Sequence, residues 1–215
     1  MQQWQKNTGT NRQYIQDAKK LVELSQHRQD NVNPMVVEIR HVRDPLILPY
    51  ASDPTRPRHE YTDLCKTPDA INLLPELADC QSLRNALERL NAPTGVFRTL
   101  GCEQALSDGC PEKPSMRRKF ASYIAVAFQE WLANVELHQF YILAGEFAKT
   151  VDWKAHPYTT VTFEFQHTEY SMVSISGWST SLWIVSYGST DDECQTEWQT
   201  CLNMFVDFAM SIQPK

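Results

Sequence analysis

The spacing of apolar residues changes along the second half of the chain. From Phe120 to Phe147 apolar side chains fall on every side of a helical projection, which predicts a central buried helix with a break near Asn134. From Tyr158 to Tyr187 apolar and polar residues alternate, which predicts a meander of about three antiparallel strands. Together these patterns predict an α+β fold with a buried central helix on a small antiparallel sheet.

A capped helix is predicted at the C-terminus. Thr190 precedes three acidic residues, Asp191 to Glu193, and this order is typical of a helix start because the acids oppose the positive end of the helix dipole. The apolar positions that follow recur at spacings of three and four: Cys194, Trp198, Cys201, Phe205, Phe208 and Ile212. We therefore expect this helix to pack back on the sheet.

The first 62 residues differ in pattern from the rest. Thr10 to Arg28 carry apolar residues on one face, which predicts an amphipathic helix. Val32 to Thr62 begin with strand character and then contain four prolines that exclude a regular helix or a central strand: Pro45, Pro49, Pro54 and Pro57. The chain thus divides into an N-terminal helix with an extended proline-rich arm (1–62) and an α+β domain (63–215). We expect the two to form one compact unit.

One short run inside the arm carries a resemblance. Asp53-Pro54-Thr55-Arg56-Pro57 resembles short segments in accessory proteins of type II secretion and type IV pilus systems. The resemblance covers five of the 215 residues, and it identifies no family. It favours, by a small margin, a subunit of such an apparatus.

Six cysteines without a Cys-x-x-Cys pair predict a disulfide framework, and therefore an oxidising compartment such as the periplasm or the extracellular space. They fall as three local pairs: Cys65 with Cys80, Cys102 with Cys110, and Cys194 with Cys201. The first two pairs could each close a local bridge. The last pair should not unless the first helical turn is unwound, because residues seven apart on a helix are separated by about 10.5 Å along its axis. We expect each of these two cysteines to reach a cysteine on another element, or Cys194 to lie in a loop before a shorter helix. The alternative is a cytosolic protein with six reduced, buried cysteines.

The chain contains no apolar segment typical of a signal peptide or a membrane span. Given the predicted disulfides, we expect a signal peptide or an N-terminal membrane anchor upstream in the natural protein. The net charge of −6 and the pI near 5.5 argue against a nucleic-acid partner. The one dense basic run, Arg117 to Lys119, is expected to be a solvated face.

Candidate catalytic groups are few. Glu130, Asn134 and His138 lie four residues apart on the predicted central helix, so a carboxylate and an imidazole would share one face as an acid/base pair or as metal ligands. The alternative is a polar ladder facing solvent. A metal site needs a third ligand, which the sequence does not nominate, so no metal or cofactor is predicted. His156 and His167 flank the first strand of the meander and could approach the pair of Glu130 and His138.

A serine motif and four aromatic residues complete the candidates. Ser179 follows Gly177 and Trp178 in an incomplete Gly-x-Ser-x-Gly motif, but it lies between two strands where the motif requires a strand and a helix. The aromatic residues fall in or beside the predicted hairpin, and such residues often anchor protein interfaces: Tyr170, Trp178, Trp183 and Tyr187. Trp178, expected at the hairpin tip, is the hardest of these to bury.

These observations predict an extracytoplasmic protein-binding module without catalytic activity. Its partner would be a toxin or hydrolase if it is an immunity or inhibitor protein, or a neighbouring subunit if it is an anchored part of a secretion or pilus apparatus. The alternative is a periplasmic or secreted hydrolase that uses His138 with Glu130.

Overall fold

The computed structural model describes residues 36–50, 60–152 and 155–212. Its described strands form one sheet in the order β1-β4-β5-β3-β2, in which β1 runs parallel to β4 and the other neighbours are antiparallel. The strands are β1 (Val36–Leu48), β2 (Phe97–Asp108), β3 (Arg118–Phe128), β4 (Thr159–Tyr170) and β5 (Ile175–Gly188). The α-helices in these ranges are α1 (Gln81–Leu90), α2 (Leu137–Thr150) and α3 (Asp191–Ser211). The sheet is therefore mixed and five-stranded, so the prediction of about three antiparallel strands was wrong.

The three helices pack on one face of the sheet. Alternate residues of β4 and β5 point to this side, where Phe163 lies 5.8 Å from Phe147 of α2 and 6.2 Å from Phe205 of α3, ring centre to ring centre. Trp198 of α3 is fully buried, and its indole N–H donates to the Ser122 hydroxyl of β3 at 2.7 Å. This main core fixes the helices against the centre of the sheet.

The opposite face of the sheet is covered at one end. A second, smaller core of the described residues lies there, and it contains Leu48, Leu100, Ala125, Ala127 and Tyr170 with Tyr50, Tyr61, Tyr123 and Trp131 packed against it. Arg98 lies over the ring of Trp131, with its guanidinium carbon 3.7 Å from the ring centre. Beyond this second core, the central strands present side chains that no described helix covers.

The predicted central helix is divided among three elements, and this prediction was wrong. Its first part is strand β3, followed by a 3-10 helix (Trp131–Val135), and its last part is α2. Four consecutive residues of β3, from Ile124 to Ala127, are buried because main-core side chains cover one face and second-core side chains cover the other. A strand buried on both faces has a continuous apolar sequence, which periodicity cannot distinguish from a buried helix.

The predicted meander is a hairpin of two long strands. The strands β4 and β5 are joined by a short turn at Ser171–Val173, and Ser174 adopts the left-handed conformation with a φ of 53°. Gly177 and Trp178 consequently lie within β5, in register with Thr168 and His167. Trp178 is therefore a strand residue and does not occupy the hairpin tip.

Residues Val36–Leu48, which belong to the predicted arm, form the edge strand β1 of the described sheet. Pro45 lies where the register of β1 against β4 shifts, between Val42 and Leu46, which is a position where a sheet tolerates proline. The predicted helix from Thr10 to Arg28 and the motif from Asp53 to Pro57 lie outside the described residues.

All six cysteines are free, so the predicted disulfide framework was wrong. Cys102 lies within β2 and Cys110 follows the end of that strand, so extended chain separates them by roughly 20 Å or more. Cys65 donates its thiol to the Asn91 side chain at 3.4 Å. Cys194 donates to the backbone oxygen of Asp191 at 3.2 Å. The thiols of Cys65 and Cys194 therefore form hydrogen bonds, and neither takes part in a disulfide.

The predicted start of the C-terminal helix is confirmed. Thr190 is the N-cap of α3, and its hydroxyl accepts a hydrogen bond from the backbone N–H of Glu193 at 3.2 Å. The helix is continuous through Cys194 and Cys201, as the argument against a bridge between them requires. No helix in the described ranges is both long and apolar enough to cross a membrane.

Candidate functional site

A pair of stacked aromatic side chains lies beside the second core, on the part of the sheet that no described helix covers. Tyr123 of β3 and Trp183 of β5 are in register, and their ring centres lie 4.9 Å apart. The indole N–H of Trp183 donates to a carboxylate oxygen of Glu164 on β4 at 2.6 Å, which fixes the orientation of the ring. All three side chains are half-buried. The sheet thus displays a rigid aromatic surface with a carboxylate at its edge.

We call this surface the open face. It comprises the outward residues of the three central strands: Lys119, Ala121, Tyr123, Thr162, Glu164, Trp183, Val185 and Tyr187. None of these side chains belongs to the core that the helices build. Because strand residues alternate between faces, the alternation that directs Phe163 and Ile184 toward the helices directs this set to the opposite side, where Thr162 is buried and the others are half-buried.

Charged groups border the aromatic pair. On the edge strand β1, Arg40 bonds Glu38 at 2.6 Å, and Arg40 is in register with Glu164. Lys119 is in register with Tyr187 at the other end of the open face. Burial raises the pKa of Tyr123 to about 12, and the charge of Glu103 adds to the shift. At neutral pH the phenol is therefore a hydrogen-bond donor and acceptor, and it is unsuited to act as a base.

A small cavity lies beside Tyr123. Its volume is about 60 Å³, and its lining includes Tyr50, Glu76 and Cys102. Pockets that bind drug-sized molecules have volumes of roughly 300–1,000 Å³, so this one holds a few water molecules at most. Burial raises the pKa of Cys102 to about 12, so the thiolate that a nucleophilic cysteine requires is not formed near neutral pH.

The structure separates the four aromatic candidates that the sequence nominated. Trp183 and Tyr187 lie on the open face. Tyr170 is fully buried in the second core, where its hydroxyl donates to the backbone oxygen of Trp178 at 2.5 Å. Trp178 points to the helix side and contacts His167 edge to face at 5.4 Å. The sequence did not nominate Tyr123, because the continuous apolar pattern of its segment predicts a buried helix, in which Tyr123 would be a core residue.

The catalytic candidates are not assembled into a site. Glu130 precedes the 3-10 helix and accepts a hydrogen bond from the backbone N–H of Leu132, whereas His138 lies in the first turn of α2 with Glu136 at 3.4 Å. The expected common helical face is therefore absent. Asn134, placed between them in sequence, is buried, and its side chain bonds the backbone N–H and C=O of Phe128 at 2.8 and 3.0 Å.

Ser179 is buried on β5. Its hydroxyl shares a hydrogen bond of 2.7 Å with that of Thr168 on β4, which gives it a structural role between the two strands. The preceding Gly177 has a separate reason to be glycine, since a Cβ there would lie 2.5 Å from the backbone oxygen of Asn134. The partial Gly-x-Ser motif is thus explained by packing.

No protein-family model matches the chain, and no curated protein or solved structure is significantly similar to it.

Proposed function

We propose that this chain is a binding module that recognises another protein through its open face. The observation that carries the proposal is the stacked pair of Tyr123 and Trp183, held by the strand backbones and by the Glu164 carboxylate. Trp and Tyr are enriched at the energetic centres of protein interfaces, because they bury large areas at a small cost in side-chain entropy. A small-molecule role has less support, since the adjoining cavity is too small for most ligands.

The two carboxylates beside the pair favour a partner that presents an arginine or lysine within an apolar surface. Glu164 lies at the edge of the Trp183 ring, and Glu103 is near Tyr123, so a cation placed over the aromatic pair would meet two carboxylates. A cation over an indole ring gains about 0.5–2 kcal/mol, and more as water is excluded. The net charge of −6 would also speed association with a basic partner.

Two finer versions of this proposal differ in the partner. One is an immunity or inhibitor protein that blocks a toxin or hydrolase, and the other is an anchored subunit of a secretion or pilus apparatus, acting outside the cytoplasm in both cases. The extracytoplasmic location was predicted from disulfides, and the six free cysteines remove that argument. The resemblance of the run from Asp53 to Pro57 is the remaining support, and it favours the apparatus subunit.

Site-specific photo-crosslinking tests the proposal. A photo-reactive amino acid would replace Val185 on the open face, and in a matched control it would replace Gln195, which is exposed on α3. We expect the Val185 position to trap a partner in a native extract and the Gln195 position not to trap it. An inhibitor should trap one enzyme, and adding the purified chain should abolish that enzyme's activity. An apparatus subunit should trap its neighbours.

Affinity for the identified partner then provides the quantitative test. Trp183→Ala should weaken binding by about 2 kcal/mol or more, which is roughly 30-fold in Kd, because an anchor residue would be lost. Trp178→Ala removes the same side chain from the helix side and should leave Kd within a few-fold. Equal Kd values for the wild type and a folded Trp183→Ala variant would refute the proposal, as would trapping through Gln195 alone.

A further inference from the structure

Three side chains of different chemistry converge where strand β4 begins. His156 lies in the loop before β4, and its Nδ1 atom is 3.1 Å from a carboxylate oxygen of Glu197 on α3. Cys201 follows four residues later on the same face of that helix, and its sulfur lies within 4.8 Å of both atoms. This cluster is on the helix side of the sheet, and none of its members belongs to the open face.

The spacing of these atoms suits one metal ion. Zn²⁺ binds imidazole nitrogen, carboxylate oxygen and thiolate sulfur at about 2.0–2.3 Å, so two ligands on a tetrahedral ion lie roughly 3.4–3.7 Å apart. The cluster spans 3.1 to 4.8 Å, so small side-chain rotations bring all three atoms to that separation. Three protein ligands leave a fourth position for water or for a group from outside the chain.

The surroundings support the ligands as they do in known metal sites. Burial and the charge of Glu197 raise the pKa of the Cys201 thiol to about 12, against a smaller lowering by the Thr159 hydroxyl, so the sulfur carries its proton until a cation displaces it. Cys201 is fully buried, whereas His156 and Glu197 are half-buried, so one side of the cluster is open to solvent. The helix that carries two of the ligands is held by the buried Trp198, which limits their movement.

Cys194 on the same helix is a buried cysteine without such neighbours, and it provides a comparison for Cys201. Cys194 is also fully buried on α3, but its thiol bonds the backbone oxygen of Asp191, and it belongs to no such cluster among the described residues. A buried cysteine that only fills the core needs no imidazole and carboxylate beside its sulfur. The arrangement around Cys201 therefore calls for an explanation beyond packing.

We propose that His156, Glu197 and Cys201 form a binding site for a borderline-soft divalent cation of the Zn²⁺ class. On binding, the Cys201 thiol loses its proton to solvent and the sulfur becomes a ligand. The ion joins the loop before β4 to α3 and keeps one coordination position accessible. This inference does not depend on the proposed binding role of the open face.

Titration of the purified full chain with Co²⁺ tests the site, because the filled d shell of Zn²⁺ gives no d–d absorption. We expect one Co²⁺ per chain, with d–d bands of tetrahedral intensity and a thiolate-to-cobalt charge-transfer band, and displacement by Zn²⁺. Cys201→Ser should abolish the charge-transfer band, and the matched control Cys194→Ser should retain it. Thermal unfolding with and without Zn²⁺ gives a second readout, since an ion bound to the folded state raises Tm.

Glu197→Gln keeps the proposal testable if Cys201→Ser does not fold, because Glu197 is half-buried and its loss leaves the core intact. We expect Glu197→Gln to weaken Co²⁺ binding by more than the roughly 10–100-fold typical of losing an outer-shell partner. The control Glu193→Gln, one turn earlier on α3, should bind as the wild type does. Absence of Co²⁺ binding by the wild type, a charge-transfer band in Cys201→Ser, or unchanged affinity in Glu197→Gln would each overturn the site.

Discussion

Replacing Asp63 with asparagine removes the carboxylate that faces the buried guanidinium of Arg98. The two side chains are 14% and 9% exposed, and their charged atoms lie 3.1 Å apart. Asparagine keeps an oxygen for the backbone N–H of Cys65, which Asp63 binds at 3.2 Å, so the substitution changes charge more than shape. Arg98 retains the backbone oxygen of Gln129 at 3.3 Å and the ring of Trp131.

The magnitude follows from the cost of an uncompensated buried charge. Removing one partner of a buried ion pair costs about 3–5 kcal/mol, and the remaining contacts of Arg98 place Asp63→Asn near the lower end, at about 3 kcal/mol. Adding Arg98→Met removes the second charge and leaves a flexible apolar side chain against Trp131. The double variant should therefore be no less stable than Asp63→Asn, with a coupling of about 2–3 kcal/mol.

Urea unfolding followed by circular dichroism measures these changes, with equal m-values required for the comparison. The matched control is Asp207→Asn, which breaks the pair that Asp207 forms with Arg89 at 2.7 Å. Those side chains are 67% and 45% exposed, so this loss should be below about 1 kcal/mol. The reasoning fails if Asp63→Asn lowers the free energy of unfolding by no more than Asp207→Asn does. It also fails if the loss in the double variant equals the sum of the losses in Asp63→Asn and Arg98→Met.

Two further predictions concern stability. Gly177→Ala places a Cβ 2.5 Å from the backbone oxygen of Asn134 and should cost about 1–3 kcal/mol, whereas Gly101→Ala, whose nearest neighbour is at 3.5 Å, should be neutral or mildly stabilising in the same urea assay. Burial raises the pKa of Tyr61 to about 12 in the folded state, against about 10 in the unfolded chain. The protonated phenol therefore contributes fully to the free energy of unfolding below about pH 10, and this contribution is lost as the pH rises through about 12. Between pH 9 and 12, the free energy of unfolding of Tyr61→Phe should fall by up to about 2 kcal/mol less than that of the wild type. Parallel plots of unfolding free energy against pH for the two proteins would contradict this.

Local sequence determined several elements of this protein. The cap at Thr190, the acids after it and the apolar stripe through Trp198 and Phe205 specified α3, because capping and helical periodicity depend on residues a few positions apart. Alternation from Thr159 onward likewise specified the paired strands β4 and β5, although not their number or their turn. The interface candidates Trp183 and Tyr187 came from the same alternation.

Tertiary structure decided the rest, because it depends on which distant segments meet. The run from Phe120 to Phe128 is a strand because β2 and β5 flank it and cores cover both of its faces, and no local pattern shows this. The cysteines are unpaired because of where the fold places them: Cys194 and Cys201 are two turns apart on one continuous helix, and Cys102 and Cys110 are separated along extended chain. His156 meets Cys201 across 45 positions of sequence, so the cluster arises only when α3 packs beside the start of β4.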